Sequence, residues 1–134
     1  MLVKGGTIVR ASGAQVADVR IHDGRIAEVN PSLDAAGEIA IDATGMLVLP
    51  GVVDPHTHFL LDTGTEKTLD DFASASIAAA AGGVNTFLDF APQQRGQPFD
   101  AALESRLAQI EGQSPIDYGI HLNITDLLPG WEGE

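Results

Sequence analysis

The chain has 134 residues, 44% of them hydrophobic, with 19 acidic against seven basic side chains and a formal net charge of −12. That charge balance excludes an electrostatic fit to nucleic acid or to an anionic membrane surface. The lack of cysteine excludes a disulfide framework and a thiolate metal site, so any metal chemistry must use histidine, carboxylate or a modified side chain. No basic segment leads into an apolar one at the start, and no run approaches 18 uninterrupted apolar residues. A soluble cytoplasmic protein is the expectation.

Residues 1–45 carry the signals of short strands. Gly5-Gly6 introduces Thr7-Ile8-Val9-Arg10. Residues 16–21 alternate, with Ala17, Val19 and Ile21 on one face and Asp18 and Arg20 on the other, and Asp23-Gly24 then turns the chain into a partner strand over residues 25–29. After a polar connection over residues 34–38 comes Ile39-Ala40-Ile41. This region reads as a small antiparallel β unit, thin for a core of its own. His22, beside the turn, reads as an exposed polar residue.

Ala43-Thr44-Gly45 marks a change of pattern. Residues 46–53 are almost continuously apolar, which suits a strand buried on both faces in a parallel sheet. Pro50 removes a ladder donor, so the strand is expected to begin properly at Gly51. Thr68 followed by Asp71 resembles a capping box. The helix it opens runs through Phe72 and Ile77 into Ala78–Ala81 and stops at Gly82-Gly83. Residues 84–90 read as the next strand. A second helix follows Pro98, with Phe99, Leu103, Leu107 and Ile110 at helical spacing and Gly112 as its stop. Residues 117–124 make a further apolar strand, and a third helix is expected over the residues that follow. Strand, helix, strand, helix, strand predicts right-handed βαβ crossovers and a parallel sheet.

The chemistry concentrates at the end of the first of these strands, in Pro55-His56-Thr57-His58-Phe59. Successive side chains of an extended segment point to opposite faces, so His56 and His58 share a face while Thr57 points away. Two neutral imidazoles can therefore converge on one ion, and histidine binds Zn²⁺ at about 2.0–2.1 Å. Two ligands are too few, because a catalytic zinc takes three protein ligands and a water. Partners are needed from elsewhere.

The string Leu49-Pro50-Gly51-Val52-Val53-Asp54-Pro55-His56-Thr57-His58-Phe59 resembles the first-strand metal motif of the amidohydrolase superfamily, in the form used by its dihydropyrimidinase and hydantoinase branch. The resemblance continues through Lys4-Gly5-Gly6-Thr7-Ile8-Val9, Ala17-Asp18-Val19, Asp23-Gly24-Arg25-Ile26, Asp70-Asp71-Phe72, Ala81-Gly82-Gly83, Leu88-Asp89-Phe90 and Ile116-Asp117-Tyr118-Gly119-Ile120-His121, in order and over essentially the whole chain.

What the resemblance implies is an α/β fold. Residues 1–46 would be the N-terminal strands of a small β-sandwich domain. Residues 47–134 would be the first two and a half βα units of an eight-stranded barrel, left incomplete, since such a barrel takes roughly 250 residues. It further implies hydrolysis of cyclic amide or ureide rings with two divalent metals, usually zinc, a small cyclic amide as substrate, and a homotetramer. His56 and His58 carry over as metal ligands, both to the same ion, and no catalytic residue lies within these 134 positions. The family's bridging lysine, later histidines, aspartate and substrate-orienting tyrosine have no counterpart here, and neither Lys4 nor Lys67 has the right context.

Neighbouring readings can be compared at single positions. Dihydroorotases carry an arginine two residues after the second histidine, where this chain has Leu60; allantoinase is a further neighbour. Non-catalytic scaffold relatives lack the histidine pair, which is intact here. Asp54 reads as a structural hydrogen-bonding residue, Asp89 as a buried structural carboxylate near the site, and His121, on one face with Asn123, as a hydrogen-bonded core residue. The acidic runs Asp70-Asp71 and residues 132–134 read as a helix start and a solvated end. On their own, the 134 residues are expected to expose unpaired sheet edges and apolar surface, and to be inactive.

Overall fold

The computed structural model describes residues 1–127. The expected third helix and the acidic run at residues 132–134 lie outside them. Contacts group the chain into two compact units, Met1–Pro50 and Gly51–Glu134.

The first unit is a five-stranded sheet. β1 (Leu2–Arg10), β2 (Gly13–His22) and β3 (Arg25–Asn30) form an antiparallel meander, while β4 (Ala40–Asp42) and β5 (Leu47–Val48) both pair with β1 in parallel. The sheet is thus mixed rather than wholly antiparallel, because the chain crosses over through residues 31–39 before returning to the free edge of β1. β1 also runs straight through Gly5-Gly6, with its register to β2 shifting between Val3 and Gly6. Gly5 supplies the left-handed backbone (φ 68°) that such a bulge needs. At the β2–β3 turn Asp23 and Gly24 both have positive φ, 49° and 69°, as a tight hairpin of this hand requires.

One face of this sheet buries Ile8, Ala17 and Val19, with Val3, Ile21, Val29 and Val48 packed against them. The opposite face holds a buried carboxylate: Asp18 is 3% exposed, its Oδ1 accepting from Gly5 N–H (2.8 Å) and its Oδ2 from Leu33 N–H (2.9 Å). The alternation placed Asp18 opposite the core as expected, but residues 31–33 fold over it. His22 is an exposed turn residue.

The apolar run of residues 46–53 divides. Leu47-Val48 is β5 of the first unit, and β6 (Val52–Asp54) opens the second, on either side of Pro50. β6, β7 (Val84–Pro92) and β8 (Asp117–Asn123) form a parallel sheet in that order, joined by α1 (Phe72–Ala81) and α2 (Phe99–Ile110). Along β7, Phe87, Asp89 and Ala91 are buried while Leu88 and Phe90 are half-buried. Phe87 joins Phe72 of α1 and Ile110 of α2 in the core, with Phe59, Leu60, Ile116 and Ile120 packed around them.

α1 is capped differently from the sequence pattern, α2 starts directly after Pro98 as expected, and both helices bury a different stripe. The N-cap of α1 is Asp71, whose carboxylate accepts from Ser74 N–H (2.8 Å), rather than Thr68. Thr68 instead accepts from Leu61 N–H (2.8 Å) and closes the preceding loop. Ile77 is exposed. The buried stripe of α2 is Phe99, Ala102, Arg106 and Ile110, with Leu107 turned outward. A charged residue therefore occupies a core position of the helix.

Candidate metal centre

β6 ends at Asp54, so the two histidines lie just beyond the strand, at the carboxyl edge of the parallel sheet. The one-residue spacing still separates the side chains by face. Thr57 is buried, its N–H donating to Leu88 O (2.9 Å) and its hydroxyl lying within reach of both Leu88 O (3.2 Å) and Asp89 Oδ2 (3.3 Å). His56 and His58 are exposed on the other side.

Their rings meet edge to face, centroids 4.9 Å apart, and the two Nε2 atoms stand 3.1 Å from each other. Nitrogens bound at about 2.0–2.1 Å to a tetrahedral ion stand roughly 3.3–3.4 Å apart, so the pair is already spaced as two neighbouring ligands. Phe90 backs both rings, at 4.5 Å from His56 and 5.0 Å from His58. Among the described residues no group of three or more histidine, aspartate or glutamate side chains is placed to hold an ion.

The carboxylates suspected of a role are accounted for. Asp54 Oδ1 accepts from His56 N–H (3.2 Å), which fixes the bend at Pro55. Asp89 is fully buried. Its Oδ2 accepts from Phe59 N–H (2.8 Å), and its Oδ1 accepts from the Phe90 N–H and from Arg106 (2.7 Å to Nη2). Asp89 is therefore the buried structural carboxylate the sequence suggested.

His121 departs from expectation. It is exposed rather than in the core, yet it keeps a hydrogen-bond partner, with Nε2 3.2 Å from Pro55 O, and its ring lies 5.0 Å from Phe90. The register explains this, because His121 pairs with Phe90 on the half-open face of the sheet. All three imidazoles thus border the same phenyl ring.

Arg106 is the residue that sequence reading passed over. Its Nη2 donates to Phe59 O as well as to Asp89, its Nη1 donates to Gln109 (2.9 Å), and its guanidinium lies 4.6 Å from the centroid of the Phe72 ring. A signal was available: Arg106 is four residues before Ile110 and seven after Phe99, on the stripe that buries. Leu60 packs against the Phe72, Phe87 and Ile110 cluster with φ 46°. An open groove of about 510 Å³, lined by Leu60, Asp62, Gln94, Gln97, Arg106 and Gln109 among others, is bordered by neither of the paired histidines.

A parallel βαβαβ sheet with an imidazole pair at its carboxyl edge defines the class, an α/β unit, and the carboxyl edge is where sheets of this kind generally take their ligands. Across nearly all of its length the chain is similar to the N-terminal portion of proteins of the D-hydantoinase and dihydropyrimidinase branch. It is 45% identical over 126 residues to a D-hydantoinase of Geobacillus stearothermophilus, covering 94% of this chain and 27% of that protein. With a dihydropyrimidinase of Arabidopsis thaliana it shares 39% identity over 126 residues, covering 93% and 23% respectively. Among solved structures, a D-hydantoinase superposes with a TM-score of 0.93 at 41% identity, covering 97% of this chain and 28% of that one. The dihydropyrimidinase from Brevibacillus agri NCHU1002 gives 0.93 at 35% identity, with coverage of 97% and 28%. The chain thus spans about a quarter of the length of the curated relatives it matches. No protein-family model matches it.

Proposed function

We propose that these residues form the N-terminal part of a metal-dependent cyclic amidohydrolase, which opens hydantoin or dihydropyrimidine rings by hydrolysing an amide C–N bond that is not a peptide bond. The observation that carries this reading is the convergence of His56 and His58, Nε2 to Nε2 at 3.1 Å, at the carboxyl edge of a parallel sheet. The identity to D-hydantoinases and dihydropyrimidinases supports it.

In this reading residues 1–46 contribute to a small β-sandwich, and residues 47–134 begin an eight-stranded barrel that later parts of the protein complete. His56 and His58 hold one of two divalent ions, assigned as zinc because neutral imidazole suits it. The remaining ligands come from outside these 134 residues. When bound, the ions activate water and polarise the amide carbonyl. The chain's own residues bind and orient: the two imidazoles supply lone pairs, Thr57 is turned inward as an anchor, and Phe90 limits how far either ring can rotate. The working protein is assigned as a cytoplasmic homotetramer.

The test is a ring-opening assay on the intact protein with hydantoin and dihydrouracil, run on the wild type and on His56→Ala. Hydrolysis that is lost on substitution supports the reading. A wild type inert toward both rings, as a non-catalytic scaffold would be, contradicts it.

A further inference from the structure

We propose that Asp89 and Arg106 are positioning residues for the imidazole pair, holding the His56–Phe59 segment in its ligating geometry from behind; this rests on the metal-site reading above.

Among the described residues neither hydrogen-bonds to an imidazole. Asp89 grips the positions between and after the two histidines, and Arg106 the one after. Asp89 Oδ2 accepts from Phe59 N–H (2.8 Å) and lies 3.3 Å from the Thr57 hydroxyl, while Arg106 Nη2 donates to Phe59 O. Phe59 thus has both backbone polar groups tied to one buried ion pair, and Thr57 is tied on its N–H side to Leu88 O (2.9 Å). In a segment with one-residue alternation, fixing Thr57 and Phe59 on the rear face fixes where His56 and His58 project on the front.

The ion pair's cost argues for this role. Asp89 is 0% and Arg106 7% exposed, and two charges removed from water are often no more stabilising than well-packed apolar residues of similar volume. What apolar residues cannot supply is directional bonding to both the N–H and the C=O of one loop residue beyond the end of its strand. The guanidinium's planar fork suits the task, because it reaches Asp89 and Phe59 O with one nitrogen while its other nitrogens bond Asp89 again through Nε (3.2 Å) and Gln109 through Nη1 (2.9 Å). A lysine would offer a point charge without that fork.

The test uses the metal-stripped intact protein with Co²⁺ as the probe, read by chelator competition and by the visible ligand-field spectrum. The variants are Arg106→Lys and Thr57→Val; the second keeps the ion pair and removes only the hydroxyl, so it serves even if the first does not fold. The expected result is Co²⁺ affinity weakened about 10- to 100-fold, as for the outer partners of metal ligands, with a shifted or weakened spectrum. A purely structural role would lower the melting temperature and leave both readouts unmoved. Wild-type affinity and spectrum in Thr57→Val and in any folded Arg106→Lys would overturn the proposal. A wild type that takes up no Co²⁺ would overturn the metal-site reading, and this inference with it.

Discussion

The carboxylate of Asp89 lies 2.7 Å from the guanidinium of Arg106, on β7 and α2 respectively, with the two side chains 0% and 7% exposed. Removing one partner leaves the other charge buried and unpaired, which costs about 3–5 kcal/mol, whereas replacing both with apolar residues of similar volume is far milder. Arg106→Met is therefore expected to destabilise the second unit by roughly that amount, and the Asp89→Leu/Arg106→Met double variant by clearly less than the sum of the singles. Denaturant unfolding of the intact protein and its variants measures both. An additive cycle would show that the two charges do not depend on each other.

Asp18 sets a pH dependence in the first unit. The Leu33 N–H, and after it the Gly5 N–H, hold its carboxyl below the usual carboxylate range, and Lys4 adds to this from 3.6 Å while burial works against them. A folded-state pKa below the unfolded value of about 3.9 means that the carboxylate stabilises the fold above that pH, and that the contribution is lost as pH falls through the folded-state value. Asp18→Asn is expected to weaken the protein at pH 7, with the gap to wild type closing below about pH 4. Urea unfolding at both pH values checks it. A gap that stays constant would contradict the assignment.

Asp71 caps α1 through Ser74 N–H, and that bond is the first cause holding its carboxyl below the ordinary value. Replacing an N-cap aspartate with alanine costs typically about 1 kcal/mol. Asp71→Ala should show that loss in thermal or denaturant melts, and Asp71→Ser should restore most of it. Thr68→Ala, three residues earlier, should not behave as a cap substitution, because its hydroxyl serves Leu61.

The 134 residues taken alone expose Val52 and Val53 of β6, each more than half open, together with Leu49 and Ile124. Apolar strand surface with unpaired edges drives association. Expressed by itself, the 134-residue chain is expected to self-associate in a concentration-dependent way, visible by light scattering, and to open no cyclic amide ring. A monodisperse, cooperatively folding monomer would contradict this.

The order of strands and helices in the second unit was legible because each signal was local: a glycine pair ends α1, a proline precedes α2, and apolar runs mark β7 and β8. That Thr57 points away from the two histidines, and Asp89 away from Leu88 and Phe90, followed from period-two alternation. The rest depended on tertiary partners. The parallel pairing of β4 and β5 with β1 is set by a crossover that leaves no local mark. Arg106 sits at stripe spacing from Phe99 and Ile110, but what pairs its charge is not readable until Asp89 is placed opposite it, and Leu107 reads as core until Ala102 and Arg106 take the buried stripe. His121 shows the same limit: its strand was readable, but which face of that strand lay open was not.

The central claim is that His56 and His58 are metal ligands, and it is tested most directly by the divalent-metal content of the purified intact protein, measured by elemental analysis beside His56→Ala and His58→Ala. The account predicts bound metal in the wild type and a loss of metal per protomer in each variant, with the fold retained by circular dichroism. A wild type without divalent metal, or variants that keep the full wild-type content, would contradict it.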